Sequence, residues 1–366
     1  MRIGISINTS WNVYNFRKGL VIDLLKKGNQ VYILAPKDEY SVKLEELGCT
    51  FIDVPMRNKS YNPVYDFILL LKYIIHLRKL NLDYFLTYTI KPNIYACIAS
   101  RLTNTRVIAN VSGLGTAFVT KSIRATIARK LYQFALKYSH KVFFQNKDDQ
   151  NLFVSKGLIE EQKTDVLPGS GVDLEFFSSQ KASQKNIRFT VIARTLYAKG
   201  IIEYIEAAQL IKKSHPNIEF YWVGKSEHEE GLGVNEEQMN SWDNKGIITY
   251  VNFTDDVKAI IEDSSCIVLP SYREGTPKSL LEGMAMSKPI VTTQTPGCKD
   301  LVIPGENGFL CEAKNASKLA DALKSIIRLS NNELVLMGEK SRSFVENQYD
   351  QNIVIKKYIQ TLQKWR

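Results

Sequence analysis

Two glutamates bracket a predicted helix start in the segment SYREGTPKSLLEGMA, with Glu274 before the glycine and Glu282 eight residues later. The preceding apolar run CIVLP predicts a buried strand. We expect Thr276 to cap a helix whose first residue is Pro277. Backbone amides and the helix dipole at such a start attract an anion, and Gly275 permits close backbone approach. The segment is therefore a candidate site for a phosphate group flanked by two carboxylates.

A second predicted strand end carries two cations. The segment IRFTVIARTLYAKGIIEYIEA predicts a strand ending near Ala193, followed by Arg194 and then by Lys199 at another helix start. Such cations can clamp a diphosphate. The glutamate pair alone, or the cation pair alone, could equally consist of ordinary charged residues at the protein surface. Together they favour a nucleoside diphosphate sugar, with Glu282 reaching the ribose and Glu274 reaching the sugar.

Apolar strand-like runs alternate with helix-length segments along all 366 residues. Seven runs fall in the first half (RIGISIN, QVYILA, TFIDV, YFLTYT, RVIANV, KVFFQN and TDVLP) and five in the second (IRFTVIA, IEFYWV, IITYV, CIVLP and PIVTT). Helices are expected in the first half at Phe16–Lys27, Pro63–Leu80 and Ser122–Tyr138. This alternation predicts an α/β protein with two Rossmann-like domains, whose parallel sheets face each other across a cleft. We expect the domains at residues 1–170 and 171–349, with a helix at about 350–366 packing back on the first.

Charge is distributed unevenly along the chain. Residues 1–170 hold 24 Lys+Arg and 13 Asp+Glu, a balance of +11, whereas residues 171–366 hold 24 and 25, a balance of −1. A basic first domain predicts an acidic partner, which is an anionic lipid surface, a phosphorylated acceptor or a nucleic acid. The apolar run FILLLKYIIHL contains a lysine and a histidine and is too short and too charged to span a bilayer.

Cysteine and acidic-residue spacing gives no indication of a metal site. The five cysteines contain no CxxC pair, which favours free thiols in a reducing compartment. The aspartate pairs Asp148–Asp149 and Asp255–Asp256 each precede a predicted helix, where acidic residues favour the dipole and capping. We therefore expect neither a metal nor a cofactor.

The combined pattern resembles the retaining glycosyltransferases of family 4, which have the GT-B fold. It consists of a strand, Arg-x4-Lys-Gly, the segment EGTPKSLLE with its E-x7-E spacing, and SKPIVTTQTPGCKDLVIPGENGFL. The resemblance covers most of the chain and is strongest from about residue 187 to 312. In the first half, TYTIKPNIYA and NVSGLGTAF resemble the subset that extends bacterial surface polysaccharides or lipid-linked oligosaccharides.

The resemblance implies a role for each donor-side residue. Arg194 and Lys199 would neutralise the donor diphosphate and stabilise charge on the leaving group, while Glu274 contacts the transferred sugar and Glu282 the ribose. Backbone amides around the phosphate and sugar would come from Gly275, Thr276, Lys278, Ser279 and Leu280. The base would be flanked by Gly224, Asn252 and Phe253. The implied chemistry is front-face displacement with retention, which needs no covalent nucleophile.

The first domain departs from the family pattern at two places. Many relatives have a glycine pair in the first strand–helix loop, whereas this chain has NTSWNVYNFRK, so Trp11 and Asn12 are expected to shape an acceptor pocket instead. Many relatives also have a histidine near the fourth strand end, where this chain has Lys91, a candidate phosphate ligand or a solvated loop cation. Gly113 and Gly115 are expected to allow close backbone approach to the acceptor.

The expected protein is a cytoplasmic hexosyltransferase held on the inner face of a bacterial cell membrane. It would move a hexose or N-acetylhexosamine-type sugar from a UDP-sugar to a polyprenyl-diphosphate-linked glycan and would not bind nucleic acid. Residues 118–141 carry six cations and no acid, with an apolar face expected to lie in the core, composed of Ile123, Ile127, Leu131 and Phe134. These cations are expected to bind anionic lipid, with an added apolar contact from residues 63–79.

Two rival functions remain open. A sugar-nucleotide 2-epimerase shares the GT-B fold but offers no reason for the basic, aromatic-rich first domain. A non-catalytic basic module would bind lipid or nucleic acid through residues 57–141, but it leaves the cation pair and the glutamate pair unexplained.

Overall fold

The computed structural model of the chain describes residues 1–57, 62–114, 123–178, 186–226 and 231–364. Its contacts divide the chain into two compact units. The first comprises Met1–Ser170 together with Asn352–Arg366, and the second comprises Gly171–Gln351.

The first unit is built on a sheet of seven parallel strands in the order β3-β2-β1-β4-β5-β6-β7. The strands are β1 (Arg2–Ser6), β2 (Gln30–Ala35), β3 (Thr50–Asp53), β4 (Tyr84–Tyr88), β5 (Arg106–Val111), β6 (Lys141–Phe144) and β7 (Thr164–Val166). The central strand β4 is buried at all five positions, because helices cover both faces of a parallel sheet. The seven expected runs of the first half all form strands.

Seven helices in the described part of the first unit cover this sheet. They are α1 (Ser10–Lys26), α2 (Tyr40–Glu46), α3 (Pro63–Leu80), α4 (Ile90–Ser100), α5 (Ile123–Leu136), α6 (Lys147–Ser155) and, near the carboxyl end of the chain, α13 (Gln351–Gln363). Helix α1 begins six residues before the expected Phe16, because the Thr9 side chain accepts a hydrogen bond from the backbone N–H of Asn12 and caps the helix there. Helix α13 packs into the core of the first unit through Val354, Tyr358 and Leu362.

The prediction that Ile123, Ile127, Leu131 and Phe134 form the buried face of α5 is wrong. Ile127 is 54% exposed and Phe134 is 46% exposed, whereas Tyr132 and its neighbours Ala135 and Leu136 are the residues that enter the core. The side chain of Ile123 lies outside the described set, and Leu131 is only partly buried. Ile127 and Phe134, which were expected in the core, therefore point outward.

The second unit has six parallel strands in the order β10-β9-β8-β11-β12-β13. The strands are β8 (Arg188–Ile192), β9 (Glu219–Val223), β10 (Thr249–Val251), β11 (Cys266–Leu269), β12 (Ile290–Thr293) and β13 (Gly308–Cys311). The helices around them are α7 (Ile201–Lys212), α8 (Glu236–Asn244), α9 (Val257–Glu262), α10 (Lys278–Ala285), α11 (Ala316–Ile327) and α12 (Asn331–Gln348). The five expected runs form β8 to β12, and β13 was not among the expected strands.

Candidate functional site

The two cations of the second unit follow the end of β8. The backbone N–H of Ala193 still donates to Val223 on β9, at 2.9 Å, so Arg194 is the first residue beyond the sheet, and it is exposed. A single 3₁₀ turn, Tyr197–Lys199, then leads into α7. The strand end and the turn place Arg194 and Lys199 at the carboxyl edge of the sheet, where parallel α/β folds bind ligands.

Gly200 fixes how this turn meets the neighbouring strand. Its φ is +76°, and a β-carbon there would lie 2.2 Å from the carbonyl oxygen of Pro270. Only glycine satisfies both the left-handed backbone and the close approach. Lys199 is therefore held directly against the chain that leaves β11.

Lys199 and Glu274 form an ion pair although 75 residues separate them in the sequence. The side chains are largely shielded from water, with 25% of Lys199 and 13% of Glu274 exposed. The backbone N–H of Tyr272 donates to Ala198 at 2.9 Å, and the Tyr272 hydroxyl donates to Glu203 at 2.7 Å. The loop after β8 and the loop after β11 therefore form one connected structure.

Gly297, in the loop after β12, packs against the loop after β11. The sequence did not identify this glycine as part of the site. Its φ is +79°, and a β-carbon there would lie 2.2 Å from the carbonyl oxygen of Gly275 and 2.4 Å from that of Glu274. The backbone N–H of Glu274 also donates to Pro296, at 3.1 Å. The Pro-Gly dipeptide was the available signal, since such pairs mark turns that need a left-handed residue.

The helix start after Glu274 differs from the expectation by one residue. Pro277 is the N-cap, with an extended backbone (φ −73°, ψ 113°) and no side-chain hydrogen bond to the first turn, so α10 begins at Lys278 rather than at Pro277. Thr276 consequently precedes the cap and does not fill it. The first intrahelical bond runs from the N–H of Leu281 to Pro277. The backbone N–H groups of the residues between them, Lys278, Ser279 and Leu280, thus have no acceptor within the helix, which is the arrangement that favours an anion.

Glu282 lies one turn further along α10 and is partly buried. Burial raises the pKa of Glu282 to about 7, while the charge of Lys278 acts in the opposite direction. No hydrogen bond or ion pair joins the Glu282 carboxylate to another side chain in the part of the chain that the structure describes. A carboxylate of this kind can accept hydrogen bonds from a diol when ionised.

The residues expected near a base lie at the ends of β9 and β10. Gly224 has φ +149°, and a β-carbon there would lie 2.1 Å from the carbonyl oxygen of Ala193. Asn252 and Phe253 are exposed just beyond β10, and Lys225 lies over the Phe253 ring at 4.5 Å. An exposed aromatic ring next to a glycine suits the stacking of a planar group.

The first acceptor candidates lie in the first turn of α1, which follows β1. The backbone N–H of Trp11 donates to Asp38 at 3.1 Å, and its ring meets Phe16 edge-on at 5.1 Å. The Asn12 Oδ1 atom is buried and accepts no hydrogen bond from the described residues. Both residues thus lie at the carboxyl edge of the first sheet, with the Trp11 ring packed against Phe16.

The remaining acceptor candidates lie at the ends of the next two strands. Lys91, beyond β4, forms a shielded ion pair with Asp66 of α3 at 2.6 Å, with 14% and 18% of the two side chains exposed. A phosphate would have to compete with Asp66 for this lysine. Gly113 follows β5 with φ +139°, and Gly115 lies outside the described residues.

The aspartate pairs act at helix starts. Asp256 caps α9 by accepting from the backbone N–H of Ala259 at 3.0 Å, and the Asp148–Asp149 pair lies in the first turn of α6, which Asn146 caps. Within the described ranges, no group of three or more His, Cys, Asp or Glu side chains could hold a metal ion. The same residues contain no helix with the length and hydropathy needed to cross a bilayer.

Comparisons with known proteins agree with this geometry. The chain is 28% identical, over 98% of its own length and 97% of the relative's, to the N,N'-diacetylbacillosaminyl-diphospho-undecaprenol alpha-1,3-N-acetylgalactosaminyltransferase of Campylobacter jejuni. It is 24% identical, over 88% of each chain, to the UDP-Gal:alpha-D-GlcNAc-diphosphoundecaprenol alpha-1,3-galactosyltransferase of Escherichia coli. Among solved structures, Anabaena HepE in complex with UDP-glucose superposes with a TM-score of 0.82 at 16% identity, covering 100% of both chains.

The expected GT-B fold is confirmed by these structural neighbours and by the two parallel sheets. Family models match both halves of the chain, the "Glycosyl transferase 4-like" model at residues 2–146 and the "Glycosyl transferases group 1" model at residues 173–351. The chain is therefore a glycosyltransferase, which matches group 1 in its second half and is glycosyltransferase 4-like in its first half.

Proposed function

We propose that the protein transfers a hexose or N-acetylhexosamine-type sugar, with retention, from a UDP-sugar to a polyprenyl-diphosphate-linked saccharide. The product would be a lipid-linked intermediate of a bacterial cell-surface glycan. The undecaprenyl-diphosphate acceptors named for the relatives from Campylobacter jejuni and Escherichia coli support this acceptor class. The UDP complex of Anabaena HepE supports only the fold that would hold such a donor.

The observation that carries the proposal is the Lys199–Glu274 ion pair next to the start of α10. A diphosphate at that helix start would meet the first-turn amides and compete with Glu274 for Lys199. Lys199 would then neutralise the diphosphate, and Glu274 would be released to accept hydrogen bonds from the sugar. Glu282, one turn along, would accept from the ribose hydroxyls. In the absence of a donor, the ion pair thus positions the Lys199 ammonium and the Glu274 carboxylate next to the helix start, and the two charges partly neutralise one another.

The chemistry assigned to these residues is electrostatic. As the bond between the sugar and the phosphate breaks, negative charge grows on the departing diphosphate, and Arg194 and Lys199 stabilise that charge. The departing phosphate oxygen accepts the proton of the acceptor hydroxyl on the face where the new bond forms. Because two cations and a helix start carry the diphosphate charge, we propose that transfer needs no metal ion.

The lipid-linked acceptor explains an exposed apolar stripe on α3. Its members recur at helical spacing: Val64 (62% exposed), Phe67 (59%), Ile68 (43%), Leu71 (41%) and Ile75 (60%). Arg78 and Lys79 are exposed on the last turn of the same helix. On α5, Ile127 and Phe134 point outward beside Lys130. Apolar side chains interleaved with cations suit an anionic membrane surface.

We place the protein on the cytoplasmic face of the membrane, as a peripheral protein. All five cysteines are buried free thiols, which suits a reducing compartment. The acidic partner of the basic first unit would be the lipid surface and the acceptor diphosphate, and not nucleic acid.

A donor panel tests the function. The purified protein is incubated with UDP- and GDP-linked hexoses and N-acetylhexosamines, with and without a polyprenyl-diphosphate saccharide, in the presence of EDTA. We expect transfer that requires the acceptor, prefers a UDP donor and survives EDTA. Epimerised nucleotide sugar in the samples without acceptor would instead indicate a 2-epimerase. Binding of nucleic acid without any nucleotide-sugar turnover would indicate a non-catalytic basic module.

A further inference from the structure

A basic groove lies at the amino edge of the first sheet, opposite the edge that carries the acceptor candidates. It forms where β6 and β7 begin and where the ends of α5 and α13 pass, and its volume is about 690 Å³. Volumes of this size hold small organic ligands. Because β6 and β7 have four and three residues, they are about 10–13 Å long, and the groove is separate from the carboxyl edge of the sheet.

The lining of the groove is strongly cationic. It contains five lysines and one acidic residue, which are Lys137, Lys141, Lys163, Lys357, Lys364 and Asp165. The segments of the first unit outside the described ranges (58–61, 115–122 and 365–366) contain no aspartate or glutamate. The excess positive charge therefore cannot be offset by an acidic side chain from those segments.

The one carboxylate in the lining of the groove, that of Asp165, is already paired with a lysine. Asp165 accepts from the Nζ of Lys357 at 2.8 Å, and the same Nζ also donates to the carbonyl oxygen of Val166 at 2.7 Å. Lys163 donates to the carbonyl oxygen of Lys137 at 2.9 Å. These contacts tie two ammonium groups to the walls of the groove, on β7 and on the chain just beyond α5.

The cations are close enough to affect one another. Burial lowers the pKa of Lys141, Asp165 acts in the opposite direction, and the charges of Lys364 and Lys357 lower it further. Burial also lowers the pKa of His140, and the charges of Arg106 and Lys163 add to that effect. An anion placed between these groups would relieve their mutual repulsion.

We propose that this groove is a second anion-binding site, which takes a phosphate-bearing ligand and lies apart from the residues assigned to transfer. Phosphate is favoured over a single carboxylate because several ammonium groups converge and each binds a phosphate oxygen as a point charge. Such a ligand can come from two sources, which are the headgroup of an anionic lipid and a soluble phosphate. In the first case the site would anchor the enzyme next to its lipid-linked acceptor, and in the second it would sense a soluble metabolite.

The test compares two double variants of equal charge. Lys141→Gln with Lys364→Gln removes two of the five groove lysines, whereas Lys26→Gln with Lys356→Gln removes two exposed cations of the same unit that do not line the groove. Both are made in an Arg194→Ala, Lys199→Ala background, so that phosphate binding at the carboxyl edge of the second sheet (the donor edge) does not contribute. Circular dichroism establishes that each variant is folded. The probes are inorganic pyrophosphate, measured by calorimetry, and vesicles of phosphatidylglycerol and phosphatidylcholine, measured by sedimentation.

We expect the groove variant to lose roughly tenfold or more in affinity for at least one probe, and the control variant to keep the affinity of the background protein. A loss with pyrophosphate identifies a soluble phosphate as the source, and a loss confined to the vesicles identifies a lipid headgroup. Equal affinities of the two variants for both probes would overturn the proposal, as would the absence of binding to either probe at low salt. Neither outcome depends on turnover, so the proposed transferase function stands or falls separately.

Discussion

In each of the two sheets the candidate residues lie at the carboxyl edge, but the two units hold these residues in different ways. In the second unit, loops from four strands are locked together, because glycines at 200, 224 and 297 admit backbone contacts that no other residue allows. In the first unit, Lys91 and Trp11 are each held by a separate partner, Asp66 for Lys91 and Phe16 for Trp11. Under the proposed function, the carboxyl edge of the second sheet (the donor edge) would thus be a rigid frame for the diphosphate, whereas the residues proposed for the acceptor in the first unit are held one by one.

The largest expected effect is the loss of a donor-edge cation. Arg194→Ala or Lys199→Ala should lower turnover by about a hundredfold or more, as expected for removal of one preorganised group that stabilises developing charge. Lys213→Ala, which removes an exposed cation beyond α7 in the same unit, should change turnover little. Steady-state kinetics of the folded variants decides this, and near-normal turnover of both donor-edge variants would contradict the assignment.

The locked loops are tested at Gly297. Gly297→Ala must displace Glu274 or Gly275, so we expect turnover to fall roughly tenfold or more and the protein to lose about 1–3 kcal/mol of stability. Gly305→Ala is the matched control, because its φ of +80° is nearly the same as that of Gly297 but nothing lies within 4 Å of the added carbon. The two variants should share the backbone strain and differ in turnover. Equal turnover would show that the loop contact does not matter.

The outward apolar stripe of the first unit predicts membrane binding. Phe67→Ser with Ile75→Ser should weaken binding to anionic vesicles by about tenfold, since each side chain loses apolar area buried at the interface. Val335→Ser with Leu336→Ser, at 55% and 59% exposure on α12, removes equally exposed residues from the second unit and should have no effect. Binding should also weaken with salt. Equal sedimentation of the two variants would show that the apolar stripe of α3 does not contribute to membrane binding.

The smallest expected effect is a pH dependence of donor binding. Burial raises the pKa of Glu282 to about 7, so the carboxyl group is mostly protonated at pH 6 and mostly ionised at pH 8. The protonated form is the poorer hydrogen-bond acceptor, and the donor KM should therefore rise several-fold, up to about tenfold, as pH falls from 8 to 6. Glu282→Gln should flatten this profile. An unchanged profile in that variant would assign the titration to another group.

Local pattern predicted most of the fold. Helix α3 has the expected bounds, because Asn62 caps its start and Asn81 adopts the left-handed conformation (φ 47°) at its end. Periodicity failed on α5, where two apolar stripes share one helix. Only packing against the rest of the unit selects Tyr132 and Leu136 over Ile127 and Phe134.

The candidate site was less accessible from the sequence. Residue types at strand ends identified Arg194, Lys199 and Glu274 as candidates, but the ion pair between two of them depends on strand order. Strands β8 and β11 are neighbours in the sheet although β9 and β10 lie between them in the sequence. The role of Gly297 likewise follows from β12 lying next to β11. Such contacts come from topology, which no local pattern contains.

The central claim is that the second unit promotes sugar transfer by stabilising the departing diphosphate on the face where the new bond forms. The most direct test uses a UDP-sugar labelled with ¹³C at the anomeric carbon, together with a polyprenyl-diphosphate saccharide, and follows the anomeric signal by NMR. From an α-linked donor we predict an α-linked product in the wild type, formed at least about a hundredfold more slowly by Lys199→Ala. A β-linked product, or an unchanged rate in that variant, would contradict the account.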